Sequence, residues 1–94
     1  MALFRPDIPP HIAESIRHFP LDLKRSIKQA IRSLSTNPAT GKPLGKELEG
    51  FRKYRVRRFR IVYEIDRRTR TVRILAIGHR RHIYEEAANL LRQS

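Results

Sequence analysis

Basic side chains recur at alternate positions in residues 50–63, which read G-F-R-K-Y-R-V-R-R-F-R-I-V-Y. Successive side chains of a β-strand point to opposite faces of a sheet. Arg55 and Arg57 are therefore predicted to share one face, while the residues that alternate with them enter a core. Arg58-Phe59 is predicted to form a hairpin turn or a bulge, and Arg60 opens the next strand. Positive charges crowded on one sheet face repel one another, so this face is expected to bind an anion.

A second group of chemically active residue types lies in residues 78–84, which read G-H-R-R-H-I-Y. If the strands before it pair as a meander, the end of the last strand lies beside the arginine strands and the two groups converge. Arg80 would then join the other arginines around a phosphate, and Tyr84 would supply a phenol for stacking or proton transfer. His79 and His82 are further candidates for proton transfer.

The two histidines are three residues apart, which is compatible with a pair of metal ligands. Zinc sites require three or four protein ligands, however, and no cysteine or cluster of acids accompanies this pair. We therefore predict no metal site and no cofactor. The lack of cysteine also excludes a disulfide framework.

Positive charge dominates the sequence, with 21 lysines and arginines against 9 acids and a formal net charge of +12. Twelve of these cations lie in residues 51–82 with only two acids, Glu64 and Asp66, and eleven of the twelve are arginine. Arginine binds phosphate with two donors and stacks on bases, whereas lysine is a more generic point charge. A basic patch of this kind is typical of a nucleic-acid-binding protein. A surface that only maintains solubility, or that binds an acidic protein, is the alternative.

Helical patterns occupy the first part of the chain. Ile12 and Ile16 share a face of a short helix that Pro20 ends. From Leu21 onward apolar residues recur at helical spacing, until Asn37-Pro38 ends a second, longer helix. The two helices are predicted to form an antiparallel hairpin whose apolar stripe covers one side of a sheet.

Strand patterns follow the helices. Strands are predicted at about residues 2–5, 53–58, 59–66 and 70–78. Pro6 is expected to end the first strand, and residues 66–69 form the turn before the last one. That last strand is almost continuously apolar, which predicts a central strand covered on both faces. Residues 36–50 have the composition of a loop, Tyr63 is predicted to lie in the core, and a final helix extends from about Arg81 to Arg92.

Helices followed by a run of strands favour an α+β fold with an antiparallel sheet. The 94 residues are expected to form one domain, residues 1–94. No apolar run approaches the length of a membrane span, and the N-terminus lacks the apolar core of a signal peptide. A cytoplasmic protein without a membrane partner is expected.

The order and spacing of these residues resemble the RelE/ParE superfamily of bacterial and archaeal toxins. The resemblance covers about residues 21–84, and its order and spacing are specific although no single piece is. Its pieces are the helix ending in Asn37-Pro38, the segments Gly41-Lys42-Pro43-Leu44 and Leu48-Glu49-Gly50, the strand segments Tyr54-Arg55-Val56-Arg57 and residues 60–65, and residues 77–84.

The resemblance implies a microbial-ribonuclease-like RelE fold, with an N-terminal helical hairpin packed on a four-stranded, mainly antiparallel sheet and a C-terminal helix. In the RelE branch it implies the toxin of a type II toxin–antitoxin system. Such a toxin is a ribosome-dependent endoribonuclease, or mRNA interferase, that cuts mRNA in the A site by metal-independent attack of the ribose 2′-hydroxyl. The partners implied are mRNA, the ribosome with its rRNA, and a cognate RelB-like antitoxin in a hetero-oligomer.

The resemblance also assigns roles to individual residues. Arg55 and Arg57 fall where basic residues help to deprotonate the nucleophile and bind phosphate. Arg60 would hold the scissile phosphate, Arg80 would stabilise developing charge or assist the leaving group, and Tyr84 would stack on an mRNA base. The surrounding cations expected to contact RNA are Arg52, Lys53, Arg58 and Arg81.

This chain departs from the family pattern at two places. The best-known ribonuclease members carry lysine where this chain has Arg55 and Arg57, and arginine is a poor general base because it holds its proton strongly. Activity would then be weak, or His79 or His82 would take the proton. The N-terminal prolines also stand where the family usually has a longer first strand, which leaves the length of that strand open.

Two other functions remain open at this point. Members of the ParE branch block DNA gyrase and are not nucleases, and they tend to lack the set of Arg55, Arg57, Arg60, Arg80 and Tyr84. A degenerate toxin would occupy RNA or the ribosome without cutting, and the two arginines in place of lysines support that function. The complete set favours the nuclease.

Overall fold

The computed structural model describes residues 3–93 of the chain. Within this range three helices and five strands follow one another in an α+β order, as predicted. They are β1 (Arg5–Asp7), α1 (Pro10–Arg17), α2 (Leu21–Thr36), β2 (Lys42–Pro43), β3 (Arg52–Val56), β4 (Phe59–Asp66), β5 (Thr71–His79) and α3 (Ile83–Arg92). Two short 3-10 helices, Pro38–Thr40 and Lys46–Leu48, flank β2. None of the helices in residues 3–93 is long and apolar enough to cross a membrane.

The strands form one sheet in the order β1-β5-β4-β3-β2. The pairs β2–β3, β3–β4 and β4–β5 are antiparallel and form a meander, whereas β1 runs parallel to β5. The prediction of a mainly antiparallel sheet is confirmed. The predicted count of four strands is too low by one. Lys42 and Pro43 pair with β3 in a segment whose glycines and prolines predicted a loop. A ladder of two residues is too short to show a period of its own.

The first strand lies further along the chain than predicted, at Arg5–Asp7 rather than at residues 2–5. Ala2, part of that prediction, lies outside the described residues. The prediction that Pro6 ends the strand is wrong, because Pro6 lies inside it and pairs with Val72. Proline is tolerated on an edge strand, where its missing N–H is not needed for the ladder.

The turn between β3 and β4 consists of Arg57 and Arg58, one residue earlier than predicted. Val56 faces Phe59 across this turn. Arg57 has a φ of 57°, a conformation that tight hairpin turns use and that L side chains rarely adopt. The prediction that Arg57 shares a strand face with Arg55 is therefore wrong, because the strand ends at Val56.

One face of the sheet, here called the hairpin face, is covered by α1 and α2 as predicted. The apolar cluster on this face contains most of the buried side chains of the described residues. Its buried members are Ile12, Ile16, Leu23, Ile27, Ala30, Ile31, Leu34, Val56, Ile61, Tyr63, Val72, Ile74 and Ile77. The stripe of apolar residues at helical spacing in α2 explains why this helix supplies so many of them.

The opposite face, here called the α3 face, carries a smaller cluster. Val62 and Ala76 pack there against Leu48 and against Ile83 and Ala87 of α3. In the β4–β5 ladder the pairing shifts between Val62, which faces Ala76, and Tyr63, which faces Ile74, so that β5 has one extra residue. With a cluster on each face, the prediction of a strand covered on both sides is confirmed.

Tyr63 connects the sheet to the loop before β2. Its hydroxyl donates a hydrogen bond to the Pro38 carbonyl at 2.6 Å and accepts one from the Gly41 N–H at 3.0 Å. The side chain is fully buried, which confirms the prediction of a core position, and this burial raises the pKa of Tyr63. Gly41 has no room for a side chain, because a Cβ would lie 2.7 Å from the Lys53 carbonyl oxygen and also meet the Tyr63 hydroxyl. This contact fixes the loop beside β3.

Candidate active site

Three cations lie together on the α3 face where β3 ends and β4 begins. Val56 is buried in the hairpin-face cluster, so the alternation of the strand directs Lys53 and Arg55 to the opposite face. Arg60 stands directly across from Arg55 in the β3–β4 ladder. Like charges directly opposite one another on a sheet destabilise it. An anion bound between them would remove that repulsion.

The guanidinium groups of this cluster are held by the hairpin turn. Arg60 Nη1 donates to the Phe59 carbonyl at 2.8 Å and to the Arg57 carbonyl at 3.1 Å. Arg55 Nε donates to the same Arg57 carbonyl, at 3.4 Å. The two arginines therefore converge on one backbone carbonyl. Arg60 is partly buried and Arg55 is exposed, so both can reach a ligand at the surface.

A cleft of about 440 Å³ opens beside these cations. It is lined by Thr40, Gly41, Lys42, Lys53, Tyr54, Arg55 and Arg60. Within residues 3–93 no carboxylate forms an ion pair with any of its cations. The cleft thus concentrates positive charge that no ion pair of the described residues neutralises.

Arg73, near the opposite end of the sheet, shows the contrasting arrangement. Its guanidinium lies 3.3 Å from Glu64, 3.5 Å from Asp66 and 3.6 Å from Asp7. Glu64 and Asp66, the two acids of residues 51–82, therefore both pair with Arg73 at this end of the sheet, away from Arg55 and Arg60. The distribution of acids leaves the end with the β3–β4 turn strongly positive.

Tyr84 reaches the cation cluster from the first turn of α3. The Lys53 Nζ atom lies 5.6 Å from the centroid of the Tyr84 ring, within the range of a cation–π contact. The partly buried ring also packs against the α3-face cluster. Gly78 lets the start of α3 pack closely on β5, because a Cβ at that position would lie 3.0 Å from Ile83 Cδ1.

Arg80 reaches the same end of the sheet by a different route. Its N–H donates to the Arg58 carbonyl at 2.8 Å, which ties the exit of β5 to the β3–β4 turn. The Arg80 side chain is exposed there, as are those of Arg57, Arg58 and Arg81. The meander therefore brings together the two groups of residues that the sequence separates by about twenty positions.

The histidines occupy the other side of this end. His79 faces Phe59 in the β4–β5 ladder, and Phe59 packs on the hairpin-face cluster, whereas Arg60 faces the α3 side. His79 Nδ1 accepts a hydrogen bond from the Arg81 N–H at 3.2 Å. Partial burial and the neighbouring Arg81 and Arg80 lower the pKa of His79 below its ordinary value. Neither His79 nor the exposed His82 is directed at the Arg55–Arg60 cleft.

The Arg52 side chain forms hydrogen bonds within the fold. Its Nη1 donates to the Gly41 carbonyl at 2.6 Å and to the Ala39 carbonyl at 3.3 Å. Arg52 also faces Tyr63 across the ladder, on the parity opposite to Lys53. The guanidinium therefore holds the loop beside the cleft, and we leave it out of the proposed RNA surface.

Lys53 lines the cleft beside Arg55, a position that the sequence pattern had assigned to Arg57. It was assigned a general RNA contact, and Arg57 was given the second basic position on the strand. Lys53 and Arg55 are two residues apart in β3, so the alternation of the strand already predicted that both point to the same face of the sheet. The strand boundary misled the assignment, because Arg57-Arg58 lacks the glycine, asparagine or aspartate that marks a tight hairpin turn.

Metal ions have no evident site in the part of the chain that the structure covers. No group of three or more His, Cys, Asp or Glu side chains in residues 3–93 is arranged to hold one. The chemistry available in the cleft is that of fixed cations, one amine and one phenol. These groups suit the binding of a phosphodiester and the stabilisation of charge that develops on it.

A larger concavity than this cleft lies away from these residues. A groove of about 650 Å³ runs between β1, α1 and α2, with an apolar floor and a basic rim. Ile8, Ile16 and Ile31 contribute to the floor, and Arg17 and Lys28 to the rim. It offers apolar area and positive charge to a partner segment but no constellation for catalysis.

Comparison with known protein families matches this chain to a toxin family. The profile described as the ParE toxin of type II toxin–antitoxin systems, parDE, matches residues 7–84. A comparison with curated protein sequences gave no match.

Solved structures of RelE toxins share the fold. The toxin–antitoxin complex RelBE2 of Mycobacterium tuberculosis contains a chain with 27% identity and a TM-score of 0.75, over 84% of this chain and 93% of that one. A mutant of Escherichia coli RelE in the free state has 18% identity and a TM-score of 0.73, over 95% and 97%. The RelE of the archaeal RelE–RelB complex from Pyrococcus horikoshii has 16% identity and a TM-score of 0.69, over 85% and 97%.

The family profile spans the helical hairpin, the meander and the start of α3, and the structural matches reproduce the same α+β arrangement. The chain therefore belongs to the ParE toxin family of type II toxin–antitoxin systems, within the RelE/ParE superfamily.

Proposed function

We propose that this toxin is a ribosome-dependent endoribonuclease that cleaves mRNA in the A site and thereby inhibits translation. One observation carries the proposal. Lys53, Arg55 and Arg60 present three cations without ion-paired carboxylates to one cleft, and the Tyr84 ring lies 5.6 Å from the Lys53 Nζ atom. A phosphodiester in the cleft with its base against the ring fits this arrangement.

In the proposed reaction the ribose 2′-hydroxyl loses its proton and its oxygen attacks the neighbouring phosphorus. The bond between phosphorus and the 5′-oxygen breaks, and that oxygen takes up a proton. The products are a 2′,3′-cyclic phosphate and a 5′-hydroxyl end. Negative charge builds up on the phosphate oxygens in the transition state, and preorganised donors directed at these oxygens lower the barrier.

The geometry supports a separate role for each cation. Arg60 is held by two backbone carbonyls, so it can fix the phosphate without reorganising, and Arg55 lies across from it. Lys53 is assigned to proton transfer at the 2′-hydroxyl, because an amine releases a proton more readily than a guanidinium does. This assignment replaces that of Arg57, which lies in the turn. Arg80 is assigned to the leaving 5′-oxygen.

Primer extension on mRNA from cells that express this chain without a partner tests the proposal. We expect growth arrest together with new 5′ ends inside translated codons, and RNA fragments that carry 2′,3′-cyclic phosphate. Blocking translation initiation should suppress the cuts. Growth arrest with intact mRNA would contradict the proposal, and a chain that stays on the ribosome with uncut mRNA would identify a binding module.

Inhibition of DNA gyrase is the second candidate, because the profile that matches residues 7–84 is that of ParE toxins. A gyrase inhibitor would leave mRNA intact and change the supercoiling of a reporter plasmid. Gel analysis of plasmid topoisomers from the same cultures separates the two candidates, since an mRNA interferase should not alter the topoisomer distribution before translation stops.

We further propose that a RelB-like antitoxin neutralises this toxin by covering the cations of the α3 face. The solved relatives from M. tuberculosis and P. horikoshii are toxin–antitoxin complexes. An acidic segment would lie across Arg55 and Arg60 or displace α3, which is held by a small apolar cluster and by the ion pair between Arg92 and Glu47. Opposite charges of this kind mainly raise the association rate.

Stopped-flow binding of the antitoxin at increasing salt tests this mechanism. We expect the association rate to fall steeply with salt and the dissociation rate to change less, because apolar contacts resist screening. A salt-insensitive association rate would contradict it. A footprint confined to α2, as the groove beside α1 would produce, would also contradict it and would identify the groove as the binding site.

A further inference from the structure

Four rings lie in a row at the end of the sheet that carries the β3–β4 turn. The ring centroids of Phe19 and Phe59 are 5.4 Å apart, those of Phe59 and His79 are 6.0 Å apart, and those of His79 and His82 are 6.3 Å apart. The row runs from the link between α1 and α2, across β4 and β5, to the residue before α3. The proposed nuclease chemistry uses none of these rings.

The two ends of the row differ in their surroundings. Phe19 and Phe59 are partly buried and pack against the hairpin-face cluster, so they complete the core at its edge. His82 is exposed, and neither of its ring nitrogens forms a hydrogen bond within residues 3–93. Packing thus explains the inner rings but leaves the outer imidazole without an internal role.

Cations surround the outer half of the row. The bond from the Arg80 N–H to the Arg58 carbonyl holds the two loops together. Arg58, Arg80 and Arg81 are all exposed there, and all three contribute to the lowered pKa of His79. An exposed ring with a partly buried ring behind it and guanidinium groups around it has the components of a stacking platform for single-stranded nucleic acid.

We propose that His79 and His82, with Arg58 and Arg81 around them, form a stacking site for an unpaired RNA base. The site is distinct from the Lys53–Arg55–Arg60 cleft, because His79 lies on the hairpin-face parity and Arg60 on the other. An RNA strand that passes over the β3–β4 turn reaches both. This inference rests on the proposed function in that RNA is the ligand, and it assigns the histidines to base stacking instead of proton transfer.

Fluorescence anisotropy with labelled single-stranded oligoribonucleotides tests the site. The probe is a short RNA of mixed sequence, and its matched control has the same length and phosphate count with abasic residues throughout. We expect His82→Ala to weaken binding of the RNA about tenfold, because the loss of stacking on one base lowers the affinity by about this factor. Binding of the abasic strand should be unchanged. His82→Phe should retain the wild-type affinity.

The His82→Phe variant separates stacking from proton transfer, since phenylalanine stacks but carries no proton. A loss of affinity in His82→Phe as large as that in His82→Ala would overturn the proposal, as would an equal loss on the abasic strand. Arg58→Ala is the contrasting variant. It should weaken both strands and reduce the salt slope by about one, as loss of one phosphate contact does.

The backbone of His82 precedes α3, but its side chain makes no capping bond, so both substitutions should leave the melting temperature unchanged. Binding to ribosomes identifies the source of the base. An effect of His82→Ala on vacant ribosomes would indicate rRNA, and an effect only on mRNA-programmed ribosomes would indicate mRNA. Cleavage by the wild-type chain is scored separately, so a failed stacking site and a failed nuclease are distinguishable.

Discussion

The hairpin face and the α3 face belong to the same three central strands but differ in cover and in charge. Among residues 3–93, the two helices on the hairpin face seal a cluster of thirteen buried residues, whereas the buried cluster of the α3 face has five. The α3 face leaves Lys53, Arg55 and Arg60 open beside the cleft. Since burial of apolar area is the main stabilising term, the hairpin face stabilises the fold and the α3 face is free to hold uncompensated charge.

Truncation of the hairpin-face core should have the largest effect. Ile61 is fully buried under the helical hairpin, and Ile61→Ala should lower the free energy of unfolding by about 4 kcal/mol, from lost burial and from the cavity that remains. Urea denaturation followed by circular dichroism measures this value. A loss below about 1 kcal/mol would show that stability does not reside on this face.

Arg60→Ala and Arg80→Ala should show the opposite behaviour, with cleavage reduced on the order of a hundredfold or more and the fold retained. A hundredfold loss corresponds to about 2.7 kcal/mol of the barrier. Both losses are measured by single-turnover cleavage on programmed ribosomes. Arg68→Ala is the matched control, because Arg68 is an exposed arginine of the β4–β5 turn far from the cleft. Cutting that survives in both variants would show that the assigned site is wrong.

Tyr63→Phe tests the hydrogen bonds that connect the core of the hairpin face to the loop beside the cleft. The variant leaves the buried Pro38 carbonyl and Gly41 N–H without their partner, which should lower the free energy of unfolding by about 2 kcal/mol near pH 7. Thermal denaturation of the two proteins measures the difference. A loss confined to cleavage activity would show instead that the hydroxyl serves only the cleft.

The same variant carries a pH prediction. Burial raises the pKa of Tyr63 in the folded chain above the ordinary value of about 10 that it has in the unfolded chain. Between these two pKa values the unfolded chain therefore binds fewer protons than the folded chain. The protonated Tyr63 hydroxyl therefore makes its full contribution to the free energy of unfolding below pH 10, and this contribution is lost as the pH rises through the raised pKa of Tyr63. Wild-type stability should therefore fall more steeply than that of Tyr63→Phe above pH 10. Parallel curves would exclude this linkage.

Lys53→Arg tests the division of roles inside the cleft. It keeps the positive charge but replaces the amine by a group that does not release its proton, so cleavage should fall about tenfold or more while RNA affinity is retained. Paired measurements of single-turnover rate and of binding to an uncleavable 2′-deoxy substrate separate the two effects. An equal loss of both would assign Lys53 to binding alone.

Arg57→Gly should have the smallest effect. Glycine adopts the positive φ of this turn without strain but gives the unfolded chain more freedom, so the free energy of unfolding should change by less than about 1 kcal/mol. Cleavage should persist, because Arg57 supplies its carbonyl and not its side chain to Arg55 and Arg60. A loss of cleavage comparable to that of Arg60→Ala would restore Arg57 to the catalytic set.

Strong local periodicity made part of this molecule predictable from sequence. The stripe from Leu23 to Leu34 repeats over about three turns, and the alternation around Tyr63 extends over a whole strand, so the helical hairpin, the antiparallel sheet and the buried tyrosine were predicted. β2 has two residues and Arg57 takes a conformation unusual for arginine, and neither has a local signature. The place of Lys53 in the cleft, rather than Arg57, depended on where β3 ends, a boundary set by tertiary pairing.

The parallel pairing of β1 with β5 has a consequence for synthesis. Arg5 pairs with Thr71, so β1 has no partner until nearly the whole meander has been translated. Arg80 and Tyr84 follow β5 and are made later still. A nascent chain that has emerged only as far as α2 holds neither a closed sheet nor a complete cleft. On the proposed function, an unfinished copy is therefore harmless to the ribosome that is making it, and toxicity requires that β5 and the start of α3 have been translated.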